Sequence, residues 1–134
     1  MANYVGGNKY VVDTKQVTAW VNLVGLTFVN ANGTVPANQA KCTGGVVQTD
    51  VKSGDYGTIV YGTGSIVKVL ATGTCTEGGF AAILISTFTT KDTTGVMGAG
   101  VQDGSSTNAI VGKFQTGGSV NDTVLVEIMD GLNH

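Results

Sequence analysis

The chain has 134 residues and a mass of 13.6 kDa, and surface scaling gives about 6,600 Å² folded against about 19,700 Å² unfolded, so one domain can bury about two thirds of its surface without disulfide or metal. Only 12% of residues are charged and the net charge is −2. All seven basic residues are lysines, scattered from Lys9 to Lys113 with no Arg, which excludes the basic stripe of a nucleic-acid binder.

Glycine (21 residues), valine (20) and threonine (19) dominate and there is one proline, a mixture rich in strand and turn formers and poor in helix formers. Met1 to Lys15 holds no apolar stretch of signal-peptide length, and no run approaches bilayer thickness. Synthesis in the cytoplasm is expected, with no membrane as partner. Residues 1–15 read as an N-terminal arm that could extend to add a strand to a neighbour's sheet edge, with disorder or β pairing within its own domain as the alternatives. Residues 16–134 are expected to be a single β domain.

In that domain Val17, Ala19, Val21 and Leu23 alternate with Thr18, Trp20 and Asn22, the period of a half-buried strand. Trp20 is expected in the core beside Val21 and Leu23. The phase slips at Val24-Gly25 and resumes at Leu26 and Phe28, which predicts a bulge or bend. Asn30-Ala-Asn-Gly33 is a turn signal. Gly57 to Tyr61 and Ser65 to Leu70 flank Gly62-Thr-Gly64 and read as a hairpin. Further strands are expected at Phe80 to Ile85, Ala109 to Gln115 and Thr123 to Met129, the last with Val124, Val126 and Ile128 on one face. Residues 86–108, polar and Gly-rich around Val96-Met97, read as a long excursion or loose hairpin. Seven or eight short strands with frequent turns predict a small antiparallel all-β barrel or sandwich with Gly/Thr-rich loops.

Gly45-Val-Val-Gln-Thr49 followed by Asp55 echoes, at an offset of 67, Gly112-Lys-Phe-Gln-Thr116 followed by Asp122. Two such units would make two similar edges of one barrel; short Gly/Thr/Val strings recurring by chance are the alternative.

Residues able to do chemistry are sparse. His134, the one histidine, is terminal, and most aspartates sit beside Gly, Asn or Thr, where turn formation accounts for them. There is no Gly-x-Ser-x-Gly elbow, Walker loop or closely spaced carboxylate series, so no catalytic, cofactor or metal residue is nominated and an enzyme is not expected. Cys42 and Cys75 read as reduced, small, buried residues, with a cross-strand disulfide as the alternative. The Thr-x-Thr pairs at Thr72 to Thr76 and Thr87 to Thr89 are too local for an ice-binding array.

Several features come in a familiar order. Gly45-Val-Val-Gln-Thr49 leads to Ser53-Gly-Asp55 and Thr58-Ile-Val-Tyr61; Gly64-Ser-Ile-Val-Lys-Val69, Ala71-Thr-Gly-Thr74 and Glu77-Gly-Gly-Phe-Ala-Ala82 follow. Ala109-Ile-Val-Gly-Lys-Phe-Gln115 and Asn121-Asp-Thr-Val-Leu-Val-Glu-Ile128 close the chain. From about residue 40 onward this order resembles the capsid cement, or head decoration, proteins of tailed bacteriophages, with Asn121 standing where that pattern has Gly. The resemblance implies a virion structural protein on the exterior of the assembled head, often a trimer, that bridges major capsid subunits and uses no cofactor. Another virion β module (tail, fibre or shell component) and a carbohydrate-binding module are the alternatives.

Overall fold

A computed structural model describes residues 11–88, 96–105 and 109–129. The strands are β1 (Asp13–Thr18), β2 (Thr27–Val29), β3 (Gly45–Val47), β4 (Tyr56–Tyr61), β5 (Ile66–Leu70), β6 (Phe80–Phe88), β7 (Val96–Asp103), β8 (Gly112–Phe114) and β9 (Thr123–Ile128). They form one nine-stranded sheet in the order β1-β4-β3-β2-β7-β6-β8-β9-β5, with every strand pair antiparallel. The sheet curls until β5, at one edge, meets the middle. Leu70 N donates to Leu26 O (2.9 Å), Thr72 N donates to Val101 O (2.9 Å), and Ala71 makes an isolated parallel bridge to Val101. The architecture is therefore the expected all-β one, with a solvent-accessible surface of 6371 Å².

The strand order is a palindrome about β7, and the backbone hydrogen bonds show why. Residues 13–61 (unit A) and 65–128 (unit B) make the same network. Ala19 N donates to Asp55 O (2.9 Å) and Ala71 N to Asp122 O (2.8 Å); Gly54 N donates to Ala19 O and Asn121 N to Ala71 O. Leu23 and Val51 exchange both backbone bonds, as do Cys75 and Gly118, and Leu26 N donates to Val47 O as Gly78 N does to Phe114 O. The first halves of the units match at an offset of 52 (Ala19 to Ala71) and the second halves at 67 (Asp55 to Asp122). The 15-residue difference between the offsets is the extra chain that makes unit B's long hairpin and central strand β7. The echo in the sequence is thus a structural repeat.

Backbone conformation repeats as well. Gly54 and Asn121 occupy the same turn position with φ of 93° and 75°, a left-handed region that Gly and Asn tolerate best. That is why Asn121 can stand where a glycine is usual. At the start of β3 and of its counterpart β8 a Cβ would strike a carbonyl oxygen, that of Val60 at Gly45 and that of Glu127 at Gly112. Each unit needs glycine there because two backbones pass in contact.

In each unit the first strand pairs with the last, β1 with β4 and β5 with β9, and the segment that follows the first strand bonds to the residues between β3 and β4 in unit A, or between β8 and β9 in unit B. The core of unit A holds Val17, Ala19, Leu23, Val29, Val47 and Ile59. The matching residues of unit B, Val69, Ala71, Cys75, Ala81, Phe114 and Val126, are buried together in the main core. Unit A's other face also packs into that core through Phe28, Val46 and Val60.

Three expectations change. Gly57 to Tyr61 and Ser65 to Leu70 do not form a hairpin, because Gly62-Thr-Gly64 is the junction between units: Ser65 N donates to Gly62 O, but Gly64 N donates to Ile128 O and starts β5 along β9. The arm boundary at 15 moves, since Asp13 to Lys15 lie in β1 and Val11 is buried in the core; residues 1–10 lie outside the described residues. Within 86–108, Ser86 to Phe88 pair with Val96 to Gly98 as the outer part of the β6–β7 hairpin, and β7 continues to Asp103; residues 89–95 and 106–108 lie outside the described residues. The Asn30–Gly33 turn forms as expected, with Gly33 N donating to Asn30 O (2.9 Å).

Candidate protein interface

Three carboxylates are engaged in holding loops. Asp50 accepts from Gly25 N (2.7 Å), Asp103 accepts from Thr76 N and Oγ1 (2.7 Å each), and Asp122 accepts from Ser119 N (2.9 Å). Among the described residues no group of three or more His, Cys, Asp or Glu could hold a metal. Cys42 and Cys75 are free and buried. Burial pushes the Cys42 thiol up to about 12 and the Cys75 thiol up to about 11, so neither is a thiolate near neutrality. Cys42 Sγ donates to Val29 O (2.9 Å). Cys75 occupies in unit B the position of Leu23 in unit A, an apolar core position.

Among the described residues the prominent apolar corner of the surface lies where β1 ends and β4 begins. Trp20 is 75% exposed, Tyr56 71% and Val21 40%. The register Thr18↔Tyr56 brings the strands together there, and the turn at 52–55 closes against residues 20–22. Ser53 Oγ donates to Trp20 O (3.0 Å) and Ser53 N donates to Asn22 Oδ1 (2.8 Å). Beside the corner lies a polar strip of Thr14, Gln16, Thr18 and Thr58, all exposed. The other exposed large apolar residues, Val12, Phe80, Met97 and Val120, lie on separate elements.

Trp20 was expected in the core and is not there. Its alternation with Val17 and Ala19 already put it on the polar face; its size suggested otherwise, and the pattern prevailed. The signal that finds it is the repeat: Val17-Thr-Ala-Trp20 aligns with Val69-Leu-Ala-Thr72, so the fold asks for no aromatic there.

The outer edge of β1 is guarded. Because Ala19 bonds across to Asp55, the residues that face outward are Thr14, Gln16 and Thr18. Asp13 Oδ1 accepts from Thr14 N (2.8 Å), and at the far end Trp20 N donates to Gly33 O (3.1 Å). Tyr61 Oη donates to Asp13 Oδ2 (2.8 Å), a bond that pushes the phenol up, and Lys15 Nζ sits 4.8 Å from the Tyr61 ring centroid. A charged, capped edge of this kind disfavours strand addition and leaves side-chain contact at the corner as the accessible mode.

No family model matches the chain, and no curated protein matches it. Among solved structures the chain is similar to the N base of head fibre gp8.5 of bacteriophage phi29, at 16% identity and a TM-score of 0.59, over 87% of this chain and 92% of that one. At that identity the likeness is one of fold, and the nine-stranded β domain described here has the fold of that head-fibre base.

Proposed function

We propose that this protein is a structural component of a bacteriophage virion: a decoration, or cement, protein that binds the outer surface of the assembled head and bridges major capsid subunits. The observation that carries the reading is the fold shared with a head-fibre base over nearly the whole of both chains. The order of glycines, Gly-Asp turns and Val-x-Val strands, which resembles head decoration proteins, supports it independently. The carboxylates and thiols described are accounted for by folding, which supports a binding role over an enzymatic one.

Oligomerisation, with a trimer favoured, fits the physics of the role. With a single contact of ~10 μM and tethering at an effective ~1 mM, each added contact gains about 100-fold. Modest side-chain contacts then hold a shell against the pressure of packaged DNA.

A second reading, a base that carries a fibre on the head, draws on the same likeness. Copy number separates the two. Quantifying this chain against the main shell protein in gradient-purified particles gives a ratio within a few-fold of equal for cement and a small fraction of that for a fibre base or vertex part. Absence from particles sinks both.

A further inference from the structure

The two units provide an internal control for what the fold requires. They share turns, crossing segments and hydrogen bonds, so a residue kept in both is explained by folding: Ala19 and Ala71, Asp55 and Asp122, the left-handed Gly54 and Asn121. At the apolar corner the units part company. Trp20, Val21 and Tyr56 of unit A stand where unit B has Thr72, Gly73 and Thr123. Unit B makes the same bonds around Ala71, Asn121 and Asp122 with two threonines and a glycine, although Thr72, unlike Trp20, is buried and donates to Val101 O and Leu84 O; the bonds the units share need no aromatic. Trp20 and Tyr56 leave most of their surface in water, a standing cost unless something covers them.

We infer that the Trp20–Tyr56 corner is the docking face of the domain and that its occupant is an apolar pocket on the shell protein, an assignment that rests on the head reading above. Charge and hydrogen bonding select this occupant. Residues 20–22 and 52–56 carry one cation, Lys52, and one anion, Asp55, so the corner offers no positive field to nucleic acid or an anionic membrane. The backbone of the corner is spent internally: the Ser53 hydroxyl donates to Trp20 O, Asn22 Oδ1 takes the Ser53 amide, and the Gly54 and Asp55 amides donate to Ala19 O and Lys52 O. Two aromatic rings on a neutral frame held by these bonds match the anchors of protein–protein hot spots.

The test uses the full chain and shells stripped of it. Trp20→Thr with Tyr56→Thr gives unit A the residues of unit B. Val120→Ser, in the matching turn of unit B, is the control. The double variant is expected to co-sediment with shells about 30-fold or more weakly than wild type, with unchanged melting, while Val120→Ser binds as wild type. Trp20, the one tryptophan, is expected to shift its emission to shorter wavelength when shells are added. Wild-type binding by a double variant that melts normally overturns the docking face and leaves the head reading standing. Failure of the wild type to bind shells overturns the head reading and the occupant together. A wild-type oligomer that the double variant reduces to monomers, or a Trp20 shift with glycans and not with shells, also overturns the occupant.

Discussion

Phe28 and Phe80 hold the same place in the two units, and their fates differ. Phe28 is fully buried between the core of unit A and the rest of the molecule, whereas Phe80 is 50% exposed. Its neighbours follow suit: Val46 and Val60 in unit A are buried, and their counterparts Lys113 and Glu127 face outward in register with each other. Unit A therefore buries its second face at Phe28, Val46 and Val60, where unit B leaves the matching positions partly exposed. The same backbone serves an inner and an outer role, and side-chain polarity decides which. Sheet faces read polarity residue by residue, because successive side chains alternate between faces.

The largest effect expected from this difference is on stability. Phe28→Ala removes a fully buried ring and should cost about 3–5 kcal/mol. Phe80→Ala, at the matching position, should cost less than about 1 kcal/mol. Urea titration of both variants checks it, and equal losses would break the comparison. Where the units agree, the losses should agree too. Gly45→Ala and Gly112→Ala each drive a Cβ against a carbonyl oxygen and should each destabilise by about 1–3 kcal/mol; a large cost at one site alone would mean that the units do not share this contact.

The buried thiols sharpen the comparison at alkaline pH. The Cys42 thiol titrates near 9.0 in the unfolded chain and about 12 when folded. Its folded value is raised, so its contribution is complete below about pH 9 and falls as pH rises towards 12. The slope is about 1.4 kcal/mol per unit for this thiol. Cys42→Ala should flatten the loss seen by denaturation between pH 9 and 10, and an unchanged slope would contradict the assignment. The same burial predicts that alkylating reagents label neither cysteine at neutral pH until the protein unfolds. The smallest effect is expected at the shared turn. Gly54→Asn installs the residue that unit B uses and should stay within about 0.5 kcal/mol of wild type, whereas Gly54→Val, at φ of 93°, should cost about 1–2 kcal/mol.

Much of the fold was legible in the sequence because strands announce themselves by alternation: Val124, Val126 and Ile128 are buried as their spacing requires. The phase slip at Val24-Gly25 marked the turn that forms at Gly25-Leu26, where Leu26 has a φ of 62°, and turn chemistry marked the Asn30–Gly33 turn. Pairing was less so. Gly62-Thr-Gly64 has the composition of a hairpin turn, but a turn fixes where the chain reverses and not which strand it meets next, and β5 finds more surface along β9. The corner was hidden for a different reason. An aromatic among valines suggests a core, and only aligning Trp20 with Thr72 separates what the fold needs from what the surface carries.

A reconstruction of particles that carry this chain is the most direct test of the docking face. The nine-stranded domain is expected on the outer face of the head, with Trp20 and Tyr56 turned into a recess of the shell protein. Density for the domain on the tail, or on the head with that corner facing solvent, would contradict it.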